Sequence, residues 1–191
     1  MTSMCAMYSP ENRNVLLNTA SASIQMGFAE KRPLEVDLLN HPPELQEVRN
    51  AFVTLYVRGE FRGCIGSMRP IAPLVQDVAK NAFFAAFLDR RVGPLNPAEF
   101  PELNISISVL SAPEPLAFLD EEDLVTKVRP GIDGLIVYEQ NTSGTLLPSV
   151  WDQIPDPRDF VRHVKAKAGL PTSYWSTSIR YSRYTTESFS N

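Results

Sequence analysis

An α+β fold, mainly antiparallel sheet with packed helices, is what this chain of 191 residues predicts. Segments of strand character outnumber the helices that could cross between them, and several join through turns too short for a parallel crossover. One helix, over 74–88, is apolar most of the way round, so other elements must cover it on more than one side. The length suffices for a real core and fits one compact domain in two subdomains.

Composition narrows the class. A hydrophobic share of 43% with 21% charged residues describes an ordinary globular chain. The net charge of -4 offers no electrostatic footprint for nucleic acid or an anionic membrane. No apolar run reaches the length of a membrane span, and the N-terminus lacks the basic-then-apolar pattern of a signal. Cys5 and Cys64 make no disulfide framework, so the expected compartment is the reducing cytoplasm, with a nuclear pool open if the source is eukaryotic.

In chain order, residues 1–9 read as a disordered leader and 10–191 as the single two-lobed domain. Residues 12–29 carry an apolar stripe of helical spacing that Lys31-Arg32-Pro33 ends. A proline-stiffened loop around His41-Pro42-Pro43 leads to 51–58, rich in β-branched and aromatic residues. Gly59-Glu60 then predicts a tight turn into a returning strand, 61–67. Arg69-Pro70-Ile71-Ala72-Pro73 opens the apolar helix, with Pro73 suited to a first turn. Leu103 to Leu110 alternates with period two, so Leu103, Ile105, Ile107 and Val109 should bury one face against that helix; Pro113 and Pro115 close the strand. Asp120 reads as the N-cap of a short helix. Gly134–Tyr138 pairs with Thr145-Leu146-Leu147 through a loop at 141–144. Asp156 caps a last helix that Gly169 stops in a left-handed conformation. The aromatic tail after Tyr174 predicts one final strand, and Trp151, Tyr174 and Trp175 read as core or lobe-interface residues.

The chemistry centres on Phe61-Arg62-Gly63-Cys64-Ile65-Gly66-Ser67. Glycines within a strand predict a bulge, or a place where something approaches the backbone closely. Cys64 is either a small buried hydrophobe or a thiol nucleophile or redox group, with Arg62 or Arg58 favouring the thiolate. Without a bulge, Arg62 and Cys64 would share a face. His41 and His163 belong to no ligand motif, so no metal site is expected; His163 could act as a base only if brought within reach of Cys64. The acids at 120–123 read as a solvated helix start, and Gly131 and Gly134 lack the context of a phosphate loop.

These residues resemble the AMMECR-domain family, named for the AMME syndrome chromosomal region. Arg62-Gly63-Cys64-Ile65-Gly66 with Phe61 is similar to its Leu-Arg-Gly-Cys-Ile-Gly signature. Asp89 with Arg91, then Pro94-Leu95, resembles its Asp-Pro-Arg-Phe-Pro-Pro-Leu segment. Ser108-Val109-Leu110-Ser111 with Pro113-Glu114-Pro115, Arg129-Pro130-Gly131 with Asp133-Gly134-Leu135, Leu147-Pro148 with Val150-Trp151, and Lys167-Ala168-Gly169-Leu170-Pro171 follow in the family's order. The resemblance implies an α+β fold in two subdomains with the cysteine signature at a functional site between them. It implies no settled reaction and no known cofactor. Association of prokaryotic relatives with a MEMO-type protein and a radical SAM protein implies those as partners. Two departures stand out: Lys165 occupies the place of a second cysteine found in many relatives, and Val92-Gly93 replaces Phe-Pro.

Two functional classes follow. One is a small-molecule enzyme or accessory subunit with Cys64 as the thiol and Arg62, Gly63, Gly66 and Arg91 binding the ligand, the two arginines presenting positive charge and the glycines leaving the backbone open. The other is a non-catalytic module that docks a partner protein through the same groove.

Overall fold

The computed structural model describes residues 8–66 and 70–191; the expected leader up to residue 7, with Cys5, and residues 67–69 lie outside the described residues. The chain forms two compact units. One runs to Leu110 and regains Glu187–Asn191; the other is Ser111–Thr186.

In the first unit, helix α1 (Pro10–Glu30) begins where the Ser9 side chain accepts the Asn12 N–H at 3.1 Å. Tyr8, placed in the leader by the sequence, is buried in the core. Lys31, left-handed, closes the helix as predicted. The proline-stiffened loop contains a single turn, α2 (Pro43–Gln46). Strands β1 (Ala51–Val57) and β2 (Glu60–Gly66) form the expected hairpin. Its turn is Arg58-Gly59 rather than Gly59-Glu60: both central residues have positive φ (53° and 82°), and Glu60 already pairs with Val57.

Helix α3 (Leu74–Phe87) and strand β3 (Leu103–Leu110) follow. Ile105, Ile107 and Val109 are buried as expected, and Leu103 partly so. Their helical cover differs from the expectation. α3 lies over β1 and β2, while β3 packs on α1, which runs beside α3. A helix that follows β2 through a short connection folds back over the hairpin it has just left, and α1 covers what remains.

In the second unit, β4 (Glu114–Leu116), α4 (Glu121–Lys127), β5 (Gly134–Glu139), β6 (Thr142–Leu146), α5 (Pro157–Lys167) and β7 (Arg180–Tyr184) build an antiparallel sheet in the order β4-β7-β5-β6. β3 ends at Leu110, ahead of Pro113 and Pro115 as expected, but Pro115 then lies in β4, a separate edge strand that tolerates a residue without an N–H. The second hairpin turns at Gln140-Asn141, with Gln140 at φ 48°, so residues 142–144 are strand rather than loop. Asp120 and Asp156 cap α4 and α5, and Gly169 is left-handed at φ 76°, as predicted. Leu135, Val137, Leu146 and Tyr181 meet Phe160, Val161 and Val164 of α5, and Trp151 stacks on Phe160 at 3.8 Å. Part of the family pattern is architectural here: Asp133, fully buried, accepts both the backbone N–H and the guanidinium of Arg129, and its carbonyl accepts Trp151 Nε1.

The single strand expected in the tail divides at Thr185. β7 belongs to the second sheet, whereas β8 (Thr186–Ser190) completes the first, in the order β2-β1-β3-β8. No described helix is long and apolar enough to cross a membrane.

Candidate functional site

Residues 51, 53, 55 and 57 of β1 point into the core, so Phe52, Thr54 and Tyr56 line the opposite face of the sheet. Cys64 stands opposite Thr54 in the register and shares that outer face. The register then slips: Leu55 faces Gly63 but Tyr56 faces Phe61, leaving Arg62 as the extra residue of a bulge. The predicted bulge is therefore present, and it separates Arg62 from the face that holds the thiol.

The glycines of the signature answer to the chain itself. Gly63 has φ 152°, and a Cβ there would lie 2.2 Å from the carbonyl oxygen of Ala85 in α3. A Cβ on Gly66 would lie 2.5 Å from the Phe52 ring and 2.7 Å from the Ala51 oxygen. The close backbone approach expected from a ligand is made by α3 and β1. Arg62 is likewise committed internally. It forks onto Glu99 (Nε–Oε1 2.7 Å, Nη2–Oε2 2.8 Å) and donates to the Gly93 and Pro94 carbonyls, with its side chain only 19% exposed. Its hydrogen bonds, then the Asn96 N–H, hold the Glu99 carboxyl below its ordinary range. Arg58 is paired with Glu102. The expected positive charge from Arg62 is thus neutralised in place.

Arg91 behaves differently, through Asp89. The outward N–H of Cys64 donates to Asp89 Oδ2 at 2.9 Å, and its carbonyl accepts Arg91 Nη2 at 2.6 Å. Arg91 also donates to both Asp89 oxygens, at 2.9 and 2.6 Å. The pair grips the free edge of β2 at Cys64. Arg91, chiefly, with the backbone N–H groups of Cys64 and Arg91, holds the Asp89 carboxyl well below the usual carboxylate range against the cost of its burial. Arg91's own pKa is raised first by Asp89, with the Cys64 thiol adding to the effect. Its side chain stays 62% exposed, above the Phe61 ring at 5.3 Å. Thr54 Oγ1 donates to Cys64 Sγ at 3.2 Å. The sulfur of Cys64 thus takes a hydroxyl donor, and the carbonyl of the same residue takes a guanidinium.

Of the residues expected at the site, the structure brings Cys64 and Arg91 together; Arg62, Gly63 and Gly66 build the strand beneath them. Asp89 and Thr54 escaped sequence reading as site residues. Asp89 was visible only as part of the Asp-x-Arg block, and Thr54 follows only from the register. His163 lies in the second unit with Nδ1 2.8 Å from the Asp159 carbonyl of its own helix. Among the described residues, no group of three His, Cys, Asp or Glu side chains is placed to hold a metal. Lys165 is fully buried, with Nζ donating to Glu121 Oε2, Thr172 O and Tyr174 O at 2.9–3.0 Å. Trp151 is core as expected, but Trp175 is 37% exposed.

Two four-stranded antiparallel sheets, each with its own helices, and a cysteine whose backbone is held at a sheet edge by an aspartate–arginine pair define a class of α+β protein. The chain belongs to the AMMECR1 family, whose model matches residues 17–189. It is 36% identical to a protein of Methanothermobacter thermautotrophicus over 152 residues, 78% of each chain. It is 35% identical to protein TK0174 of Thermococcus kodakarensis over 185 residues, 91% of this chain and 87% of that one. The crystal structure of the uncharacterized protein PH0010 from Pyrococcus horikoshii superposes with a TM-score of 0.82 at 32% identity, covering 97% of this chain and 94% of that one.

Proposed function

We propose that this protein is a cytoplasmic small-molecule enzyme or accessory subunit in which Cys64 is the reacting thiol. Arg91 and Thr54 stabilise the thiolate, and Asp89 orients Arg91. One partly accessible cysteine that takes the Thr54 hydroxyl on its sulfur and the Arg91 guanidinium on its carbonyl carries this reading. Arg62, Gly63 and Gly66 serve it by shaping the bulge. The family association with MEMO-type and radical SAM proteins supports a place in a shared pathway.

The test is alkylation of the folded protein by iodoacetamide at pH 7, followed at Cys64 by peptide mass spectrometry. Arg91→Gln and Thr54→Val should each slow the reaction by about two- to tenfold, the kinetic worth of one hydrogen bond. Equal rates in all three proteins would sink the thiolate reading. The alternative is a non-catalytic docking module, favoured by the exposed Phe61 ring beside Tyr56 at 6.4 Å. An untargeted metabolite screen separates the two: ligands lost in Cys64→Ser support the enzyme, and a screen in which no ligand depends on Cys64 supports the module.

A further inference from the structure

A groove of about 840 Å³ opens within the second unit, a volume suited to a small molecule. Its floor is the sheet face opposite α5, where Tyr138 and Arg180 face each other in register and Pro115 stands opposite Ser182. Phe118 and Trp175 form a wall, edge to face at 5.6 Å, and Phe118 meets Tyr181 in the same way. The Trp175 side of the groove is irregular chain, yet it is held by two buried charges. Lys165 binds the carbonyls of Thr172 and Tyr174, and Glu139 accepts the hydroxyls of Ser176 and Ser178 at 2.8 and 2.7 Å. Those two hydroxyls, Ser178 first, hold the Glu139 carboxyl below its ordinary range. Burying an ammonium and a carboxylate is costly unless each is fully bonded, and here both restrain the same short segment. The restraint sets an aromatic wall in place before any ligand arrives.

The charge inside the groove is cationic. Arg180 is exposed and lines the groove, and its side chain donates no hydrogen bond among the described residues. The carboxylate that feels its charge, Glu139, is occupied by the two serines.

We propose that this groove binds a small planar aromatic carboxylate, its ring against Trp175, Phe118 and Tyr138 and its carboxylate on the Arg180 fork. The site is independent of the Cys64 thiol.

The probe is 2-naphthoate, measured by calorimetry on the full chain against its neutral isostere 2-naphthamide. Naphthoate should bind about tenfold tighter than the amide, the worth of one charge-assisted contact. Arg180→Gln should erase that difference while leaving the amide affinity unchanged, and Trp175→Ala should weaken both probes. Arg180 is exposed, so its variant folds even if removal of Trp175 disturbs the wall. Cys64→Ser should bind naphthoate as the unmodified protein does. Absence of binding at millimolar naphthoate, an anion preference that survives Arg180→Gln, or binding lost in Cys64→Ser would each overturn the assignment.

Discussion

Asp89 is the residue on which the thiol site turns, since it both receives the Cys64 N–H and holds Arg91. Asp89→Asn keeps the shape and one acceptor but removes the charge, and should lower stability by about 1.5–3 kcal/mol at neutral pH. The pH dependence has a definite sign. The folded-state pKa of Asp89 lies below its ordinary value, so its contribution is complete above that value, about pH 4, and is lost as acid protonates the folded protein. Urea unfolding should therefore show a constant gap between the two proteins from pH 8 to about pH 5, narrowing below about pH 4. The other depressed carboxylates, Glu99, Glu102, Glu122, Asp123 and Glu139, are common to both proteins and cancel in the difference. A gap unchanged in strong acid would show that Asp89 acts by shape alone. Lys165 shows the complementary use of buried charge. Its ammonium ties helix α5 to the carbonyls of Thr172 and Tyr174.

At the scale of elements, the hairpin β1–β2 and helix α3 are one device. The bulge at Arg62 and Gly63 lets the Ala85 carbonyl come within reach of the strand, and the same turn of chain carries Arg62 out to Glu99. Gly63→Ala adds a methyl against backbone and forces a left-sided φ on a residue with a Cβ, so it should cost roughly 2–4 kcal/mol. Thermal melting checks this, and a Tm within a degree of the parent would mean α3 can move away. Sequence made much of this legible. Short-range chemistry wrote the caps at Asp120 and Asp156, the left-handed Gly169 and the bulge, because each depends on a few adjacent residues. The partners were not legible. That Arg62 meets Glu99 while Arg91 meets Cys64, and that α1 rather than α3 covers β3, depend on residues distant in sequence. The alternation in β2 even pointed the wrong way for Arg62, because one extra residue reverses which face a side chain takes. Pro113 and Pro115 follow the end of β3 as expected, yet β4 around Pro115 was not legible, since proline excludes a central strand but not an edge.

For the whole molecule, the informative step is the chain's return at Thr185. β7 ends in the second sheet and β8, immediately after, closes the first, so the first unit depends on residues that follow the second in sequence. Its last residues are well bonded there. Asn191 Oδ1 accepts the Ile105 N–H at 2.7 Å, its carbonyl accepts Asn104 Nδ2 at 2.6 Å, Ser188 meets Ser108 at 2.8 Å, and Glu187 pairs with Arg13 at 2.8 Å. Deleting residues 187–191 should therefore strip β3 of a neighbour and leave its edge unpaired, an invitation to pair with another chain. Amide hydrogen exchange would resolve where the damage falls. β3 and α1 should lose protection while β5, β6 and α5 keep theirs, because the second core of Leu135, Val137, Phe160 and Val164 is untouched by the deletion. Uniform loss across both sheets would instead show that the two units unfold as one cooperative block. The same sample reports on the site: if β8 supports Cys64 only through the sheet, alkylation of the thiol should quicken with the opening of β1 and β3, and not before it.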